Sequence, residues 1–292
     1  MRPAAFDYVR AGTVAEALAG LGGGRDARIL AGGQSLVPMM ALRLARPEVL
    51  VDITRCPELL SHALDGPVLR VGAAVPDAVL ERDPEIRAAH PLLVRTLSLI
   101  AHQEIRARGT LCGSLAHADP AAELPALLLA ADGEVEVEGP VGTRRVRAEE
   151  FFAGPFTPAL ADGEMVVAAR LPLPAPGAGW AVDEISRRPG DFAIAGAICT
   201  VAVDGAGRCS RARVALFGLA STPVRSHGAE GVLMGQQLAT AVLDAAADAC
   251  FDGVDVLGDE VHASAAYRRT AGRELVRRTL DAAVRSAERE AA

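Results

Sequence analysis

Two short stretches of the chain carry residue types suited to gripping an anion. They are Ala31-Gly32-Gly33-Gln34-Ser35, followed by Leu36, and Gly109-Thr110-Leu111-Cys112-Gly113-Ser114-Leu115-Ala116-His117-Ala118-Asp119-Pro120. Each follows an apolar or strand-like run. Glycine has no Cβ, so consecutive amide N–H groups can converge on phosphate oxygens without a steric wall. Thr110 and Ser114 add hydroxyl donors, and Gly113 leaves access. One such loop reads equally well as a plain tight turn. Two of them, far apart in sequence, predict a clamp on a pyrophosphate from both sides, and so a dinucleotide held without the usual fingerprint.

That fingerprint is missing. Gly20-Leu21-Gly22-Gly23-Gly24-Arg25 approaches G-x-G-x-x-G, but its sixth position is Arg25 and it follows a helix rather than a strand, so it reads as a helix C-cap. Gly32 to Ser35 instead lies between a predicted strand and a predicted helix, where amides carry partial positive charge. Glu123 opens a later helix; its carboxylate suits sugar or ribityl hydroxyls, or simply complements the helix dipole. His117 and Asp119 are two metal ligands without a third or fourth, so His117 is assigned a structural role or a cofactor contact. Lys is absent, which excludes Schiff-base and P-loop chemistry. Cys56, Cys112, Cys199, Cys209 and Cys250 show no C-x-x-C spacing, so they read as free thiols in a reducing compartment rather than as metal or iron–sulfur ligands.

The elements that position these residues follow from pattern. Thr13-Val14-Ala15-Glu16 is a capping box opening a helix that stops at Gly22-Gly23-Gly24. Arg28–Leu30 and Glu48–Ile53 read as strands around a helix from Leu36 to Leu44, giving a small β–loop–α–β unit. A second segment has a strand from Val68 to Ala73, helices over Asp77–Arg82 and Leu92–Ile100, and an Ala/Leu-rich helix from Ala121 to Ala131. Glu134 to Glu138 alternates with period two as a half-exposed strand, and Gly139-Pro140-Val141-Gly142 turns it into a hairpin with Thr143–Arg147. Met165–Leu171 adds a strand. Pro172 to Gly179 is the best linker in the sequence. Beyond it, Trp180–Ile185, Ala193–Val203 and Arg211–Leu219 read as three strands, followed by helices near Ala239–Cys250 and from about His262 to Glu288. Leu275, Thr279 and Ala283 run beside Val276, Leu280 and Val284 as one apolar stripe. A sheet with helices on one face, an α+β arrangement, accommodates this pattern.

At 292 residues the chain is long enough for one large or two medium domains. A formal charge of −7 argues against a nucleic-acid surface. No apolar run has the length to cross a bilayer, and the first residues lack the apolar core of a secretory signal, so a cytoplasmic protein without membrane insertion is expected.

Ile105 to Pro125, read as a block, resembles the signature of the FAD-binding medium subunits of molybdenum hydroxylases, the group that includes carbon monoxide dehydrogenase and xanthine dehydrogenase. Ala31 to Met40 resembles that family's first flavin motif, and Phe151–Thr157 and Arg187–Ala193 resemble two later blocks, in the right order along nearly the whole chain. The resemblance implies a vanillyl-alcohol oxidase (PCMH)-type FAD-binding domain over residues 1–175, with subdomains of about 1–55 and 56–175. A smaller α+β C-terminal domain with a three-stranded sheet would cover 176–292. It also implies that Ala31 to Ser35 with Leu36, and Thr110, Cys112, Gly113 and Ser114, cradle the FAD pyrophosphate. Glu123 would hold ribityl or nearby sugar hydroxyls, His117 would touch the cofactor, and Arg187, Arg188, Asp191 and Phe192 would lie close to the isoalloxazine. Cys112 departs from the family's Thr-hydrophobe-Gly-Gly; a positive φ there would strain a Cys by about 1–3 kcal/mol.

The function so implied is electron transfer. Substrate oxidation would occur at molybdopterin in a large partner and electrons would arrive through [2Fe–2S] clusters of a small partner. An external acceptor would take them from FAD, in an assembly of two copies of a three-subunit unit. A stand-alone flavin oxidoreductase acting on a small organic substrate, or an assembly subunit that has lost its flavin, are the alternatives. Arg187 and Arg188 would stabilise an anionic reduced flavin, or else form a solvated surface pair.

Overall fold

Thr13 starts the first helix as the pattern predicts. Its Oγ1 accepts from the Glu16 amide at 3.1 Å, while the Glu16 carboxylate reaches back to the Gly12 amide at 2.7 Å, one residue earlier than in the usual box. The computed structural model describes residues 2–259 and 261–291. Its first unit is β1 (Asp7–Arg10), α1 (Val14–Leu21), β2 (Ala27–Leu30), α2 (Leu36–Ala41) and β3 (Val49–Asp52), with the strands parallel in the order β1-β3-β2. β1 leaves no sequence signal because its four residues are all exposed. α2 ends three residues short of Leu44, where Arg43 adopts φ 61°.

The second unit opens with β4 (His62–Asp65), β5 (Val68–Gly72), α3 (Asp77–Arg82), α4 (Pro84–Ala89), α5 (Pro91–Leu97), α6 (Gln103–Arg106), α7 (Leu111–His117) and α8 (Glu123–Ala130). It continues through β6 (Glu134–Gly139), β7 (Gly142–Arg147), α9 (Ala148–Phe151), β8 (Phe152–Gly154), β9 (Thr157–Pro158) and β10 (Met165–Pro172). Five strands form an antiparallel sheet in the order β4-β5-β10-β6-β7. Glu136 on β6 is buried rather than solvated, because Arg170 of the adjoining β10 at 3.3 Å and Arg70 of β5, one strand further, at 2.8 Å reach it.

The third unit has β11 (Gly179–Ile185), β12 (Ala195–Val203), β13 (Cys209–Phe217), β14 (Val224–Arg225), α10 (His227–Leu233), α11 (Thr240–Asp248) and α12 (Ala265–Ala291). Its antiparallel sheet has four strands, not three: β14 is only two residues long, too short for alternation to show. Helices cover both faces rather than one. Ala195, Ala197, Cys199 and Val201 pack with Leu275, Val276 and Leu280 of α12, whereas Ile198, Ala215 and Phe217 join the core containing α8. All eight residues of α8 are buried, as befits a helix apolar on every side.

Asp132, just past α8 at φ 53°, ties the second unit to the third. It accepts from Arg211 at 2.6 Å and from Arg213 and Arg225 at 2.9 Å; Arg225 also pairs with Glu149 at 2.8 Å and Glu230 at 2.5 Å. Burial disfavours the Asp132 charge, but hydrogen bonds from Arg213 and Arg211 outweigh it and hold the carboxyl below the usual range. This contribution is therefore complete above the ordinary carboxylate range and is lost as pH falls through the lowered Asp132 value. Replacing the half-buried Arg225 by Met takes one guanidinium from Asp132, Glu149 and Glu230, leaves the buried Glu230 without an arginine, and should cost about 3–5 kcal/mol in urea unfolding. An unchanged midpoint would show the seam to be neutral.

Candidate cofactor site

β2 ends at Leu30 and the chain swings through Ala31–Gly33 into α2, with Gly33 at φ 72°. Ser35 caps α2 without a side-chain bond to it, and Gln34 Nε2 donates to the Gly32 carbonyl at 2.9 Å. The amides of Gly32, Gly33, Gln34, Ser35 and Leu36 donate to no described residue. All of these residues are half-buried.

The second bend is less of a loop than its composition suggests. Thr110 caps α7, its Oγ1 accepting from the Gly113 amide at 3.0 Å, so Leu111 to His117 are helical. Gly113 is required by proximity rather than by φ: a Cβ there would lie 2.8 Å from Thr110 Oγ1 and 3.9 Å from Ala31 Cβ. Cys112 is likewise helical, so the strain that a positive φ would bring does not arise; the left-handed residue is Ala118, the helix cap. The Cys112 side chain is 2 % exposed and turns into the core, with Sγ 3.5 Å from the Val71 carbonyl and burial pushing its thiol up. It leaves only its amide for the site. Ser114 and His117 are half-buried on the same helix.

The two bends touch. A Cβ on Gly32 would overlap the Arg108 carbonyl oxygen and press on Gly109 Cα at 2.7 Å. The bends containing positions 31–36 and 109–114 are thus brought together. His117 ends α7 with its ring 5.2 Å from Phe156, and burial lowers its pKa from the ordinary imidazole value. Asp119 is spent on a turn, accepting from the Ala121 amide at 2.9 Å. Glu123 is the first residue of α8 and is buried, which pushes its carboxyl up to about 7.

The block from Arg187 to Phe192 is more loosely placed. Gly190, at φ 86°, packs against Ala101 and His102, where a Cβ would meet the Ala101 carbonyl at 3.1 Å. Arg187 donates to the Val261 carbonyl, and Arg188 makes no ion pair with a described residue. The Arg188 carbonyl accepts from the Asp191 amide at 3.0 Å in a turn that leaves Asp191 exposed and Phe192 65 % exposed.

Two residues escaped the sequence reading. Asp77, the first residue of α3, donates its amide to the Gly109 carbonyl at 2.8 Å and is buried with Oδ1 unpartnered. Glu184, on β11, buries an unpartnered Oε2. An acid opening a helix looks like dipole complementation and one on an alternating strand looks solvated, so neither draws attention. Uncommitted amides, a cradle that any Cβ would close and carboxyl oxygens without donors are what a diphosphate with sugar hydroxyls calls for.

Residues 4–174 match the family described as the FAD binding domain in molybdopterin dehydrogenase, and residues 180–283 match the CO dehydrogenase flavoprotein C-terminal domain. The chain is 43 % identical to the 6-hydroxypseudooxynicotine dehydrogenase complex subunit alpha of Paenarthrobacter nicotinovorans, over 98 % of this chain and 97 % of that one. With the carbon monoxide dehydrogenase medium chain of Hydrogenophaga pseudoflava it shares 39 % identity, over 97 % and 98 %. A chain in the structure of that organism's carbon monoxide dehydrogenase lacking the Mo-pyranopterin moiety superposes with a TM-score of 0.95 at 38 % identity, covering 98 % of this chain and 99 % of that one. With both halves matched and relatives aligned almost end to end, the chain belongs to the FAD-binding medium subunits of the carbon monoxide dehydrogenase and xanthine dehydrogenase family: an oxidoreductase subunit whose cofactor is FAD.

Proposed function

We propose that this chain is the electron relay of a molybdenum-containing hydroxylase or dehydrogenase, standing between iron–sulfur clusters of a partner and an external acceptor. The observation that carries the reading is the contact of Gly32 with Arg108 and Gly109, which sets the uncommitted amides of Gly32 to Leu36 beside the capped start of α7. In this reading Ala31, Gly32, Gly33, Gln34, Ser35 and Leu36 hold the pyrophosphate from one side. Thr110, the Cys112 amide, Gly113 and Ser114 hold it from the other. Glu123 takes sugar hydroxyls, His117 lines the site, and Arg187, Arg188, Asp191 and Phe192 border the isoalloxazine. When bound, FAD supplies one- and two-electron redox chemistry, which the protein tunes by charge and hydrogen bonding. No side chain acts as nucleophile or general base. The partners are a molybdopterin-binding large subunit and a [2Fe–2S] small subunit, as two copies of a three-subunit unit. Names such as medium chain and complex subunit among the relatives support this. The five cysteines are buried free thiols, which fits cluster ligation elsewhere and a cytoplasmic setting. We divide the chain into an FAD-binding domain over 1–175 and a C-terminal domain over 176–292.

Gly32→Val and Gly113→Val should each abolish FAD retention while circular dichroism stays native-like. Stoichiometric flavin absorbance in both variants would refute the placement of the site. Purification of the tagged chain from its native extract should bring down molybdenum and iron together with FAD. The FAD-loaded chain alone should oxidise no organic donor; turnover without partners would favour a self-sufficient flavoenzyme.

A further inference from the structure

Asp77, Glu123 and Glu184 come from three separate elements, α3, α8 and β11, and the Glu123 carboxyl lies near enough to repel charge on both of the others. Asp77 is 3 % exposed, and its Oδ2 lies 2.7 Å from where a Cβ on Gly109 would stand, so this carboxyl sits directly behind the second bend. Asp77 Oδ1 and Glu184 Oε2 are closed off from solvent with no hydrogen-bond partner among the described residues.

Neither neighbouring guanidinium forms an ion pair with Asp77 or Glu184 among the described residues. Arg106 of α6 faces Asp77 but pairs with Glu81 at 3.0 Å and donates to the Ile100 carbonyl at 2.8 Å. Arg95 of α5 faces Glu184 and donates to Ser98 Oγ at 3.3 Å. The remaining neighbours are acids: Glu81 beside Asp77, Asp119 beside Glu123, and Asp183 beside Glu184. A diphosphate between the two bends adds further negative charge to this surrounding, and like charges at short range in a partly dry site repel strongly.

We propose that Asp77 and Glu184 are further members of the cofactor site, working beside Glu123 as neutral, proton-bearing acids, so that FAD enters the site together with protons. The proposal rests on the placement of FAD between the two bends. Burial already pushes Asp77 and Glu184 up to about 8 and Glu123 to about 7, and a bound anion raises each further. Binding therefore takes protons up. Affinity is greatest at low pH, falls as pH rises through the values of the free site, and levels only above those of the loaded site.

The test is calorimetric titration of FAD into the full-length chain freed of flavin, in buffers of different ionisation enthalpy and from about pH 6 to pH 9, where the slope is about tenfold in affinity per pH unit for each proton taken up. Buffer-dependent heats showing proton uptake, with affinity falling as pH rises, are expected for the wild type. Glu184→Gln and Asp77→Asn should each reduce the uptake and flatten the pH profile. Buffer-independent heats with a flat profile, or undiminished uptake in the double variant, would overturn the proposal. Should Asp77→Asn fail to fold, the wild-type heats and Glu184→Gln still decide. Failure of the underlying placement reads differently, as FAD retention by Gly32→Val.

Discussion

The site depends on one close approach of backbone to backbone. Gly32 lies against the Arg108 carbonyl and Gly109 so tightly that no side chain fits between them. The Gly109 amide is spent on the Ile105 carbonyl at 2.7 Å, whereas on the other side of the contact the five amides from Gly32 to Leu36 have no described acceptor. Half-buried N–H groups without a partner are costly to keep unless an anion or water satisfies them. Those five amides are the observation that supports the proposed placement of the cofactor.

Behind this contact the rest of the molecule fixes the two bends in place. Asp77 holds the Gly109 carbonyl, Thr110 caps α7, and α7 leads into α8 through the Asp119 turn. α8 is packed on every side, between the neighbouring helices and the four-stranded sheet, and Asp132 then anchors its far end to three arginines of that sheet. Glu123 at the near end is consequently placed by the same packing that joins the second and third units.

The approach of the two bends was legible because glycine and hydroxyl residues report on backbone approach directly. The strands and long helices were legible from their periods. Short elements were not: β1 is exposed throughout, and β14 is two residues long, so neither carries a pattern. The second bend was read as a loop because Gly113 looks like a turn residue, whereas it is a helical glycine chosen for its nearness to Thr110 and Ala31. Asp77 and Glu184 were invisible for a different reason. An acid's meaning depends on what surrounds it in space, and their surroundings come from elements distant in sequence.

The seam around Asp132 uses guanidinium groups alone, in a chain that contains no lysine. Guanidinium keeps its proton at every pH a cell meets, and it is not a substrate for the acylation chemistry that targets amines. The ionic part of the joint between the second and third units is therefore indifferent to alkalinity and to lysine-directed acetylation alike, and acid is the pH extreme at which its contribution is lost.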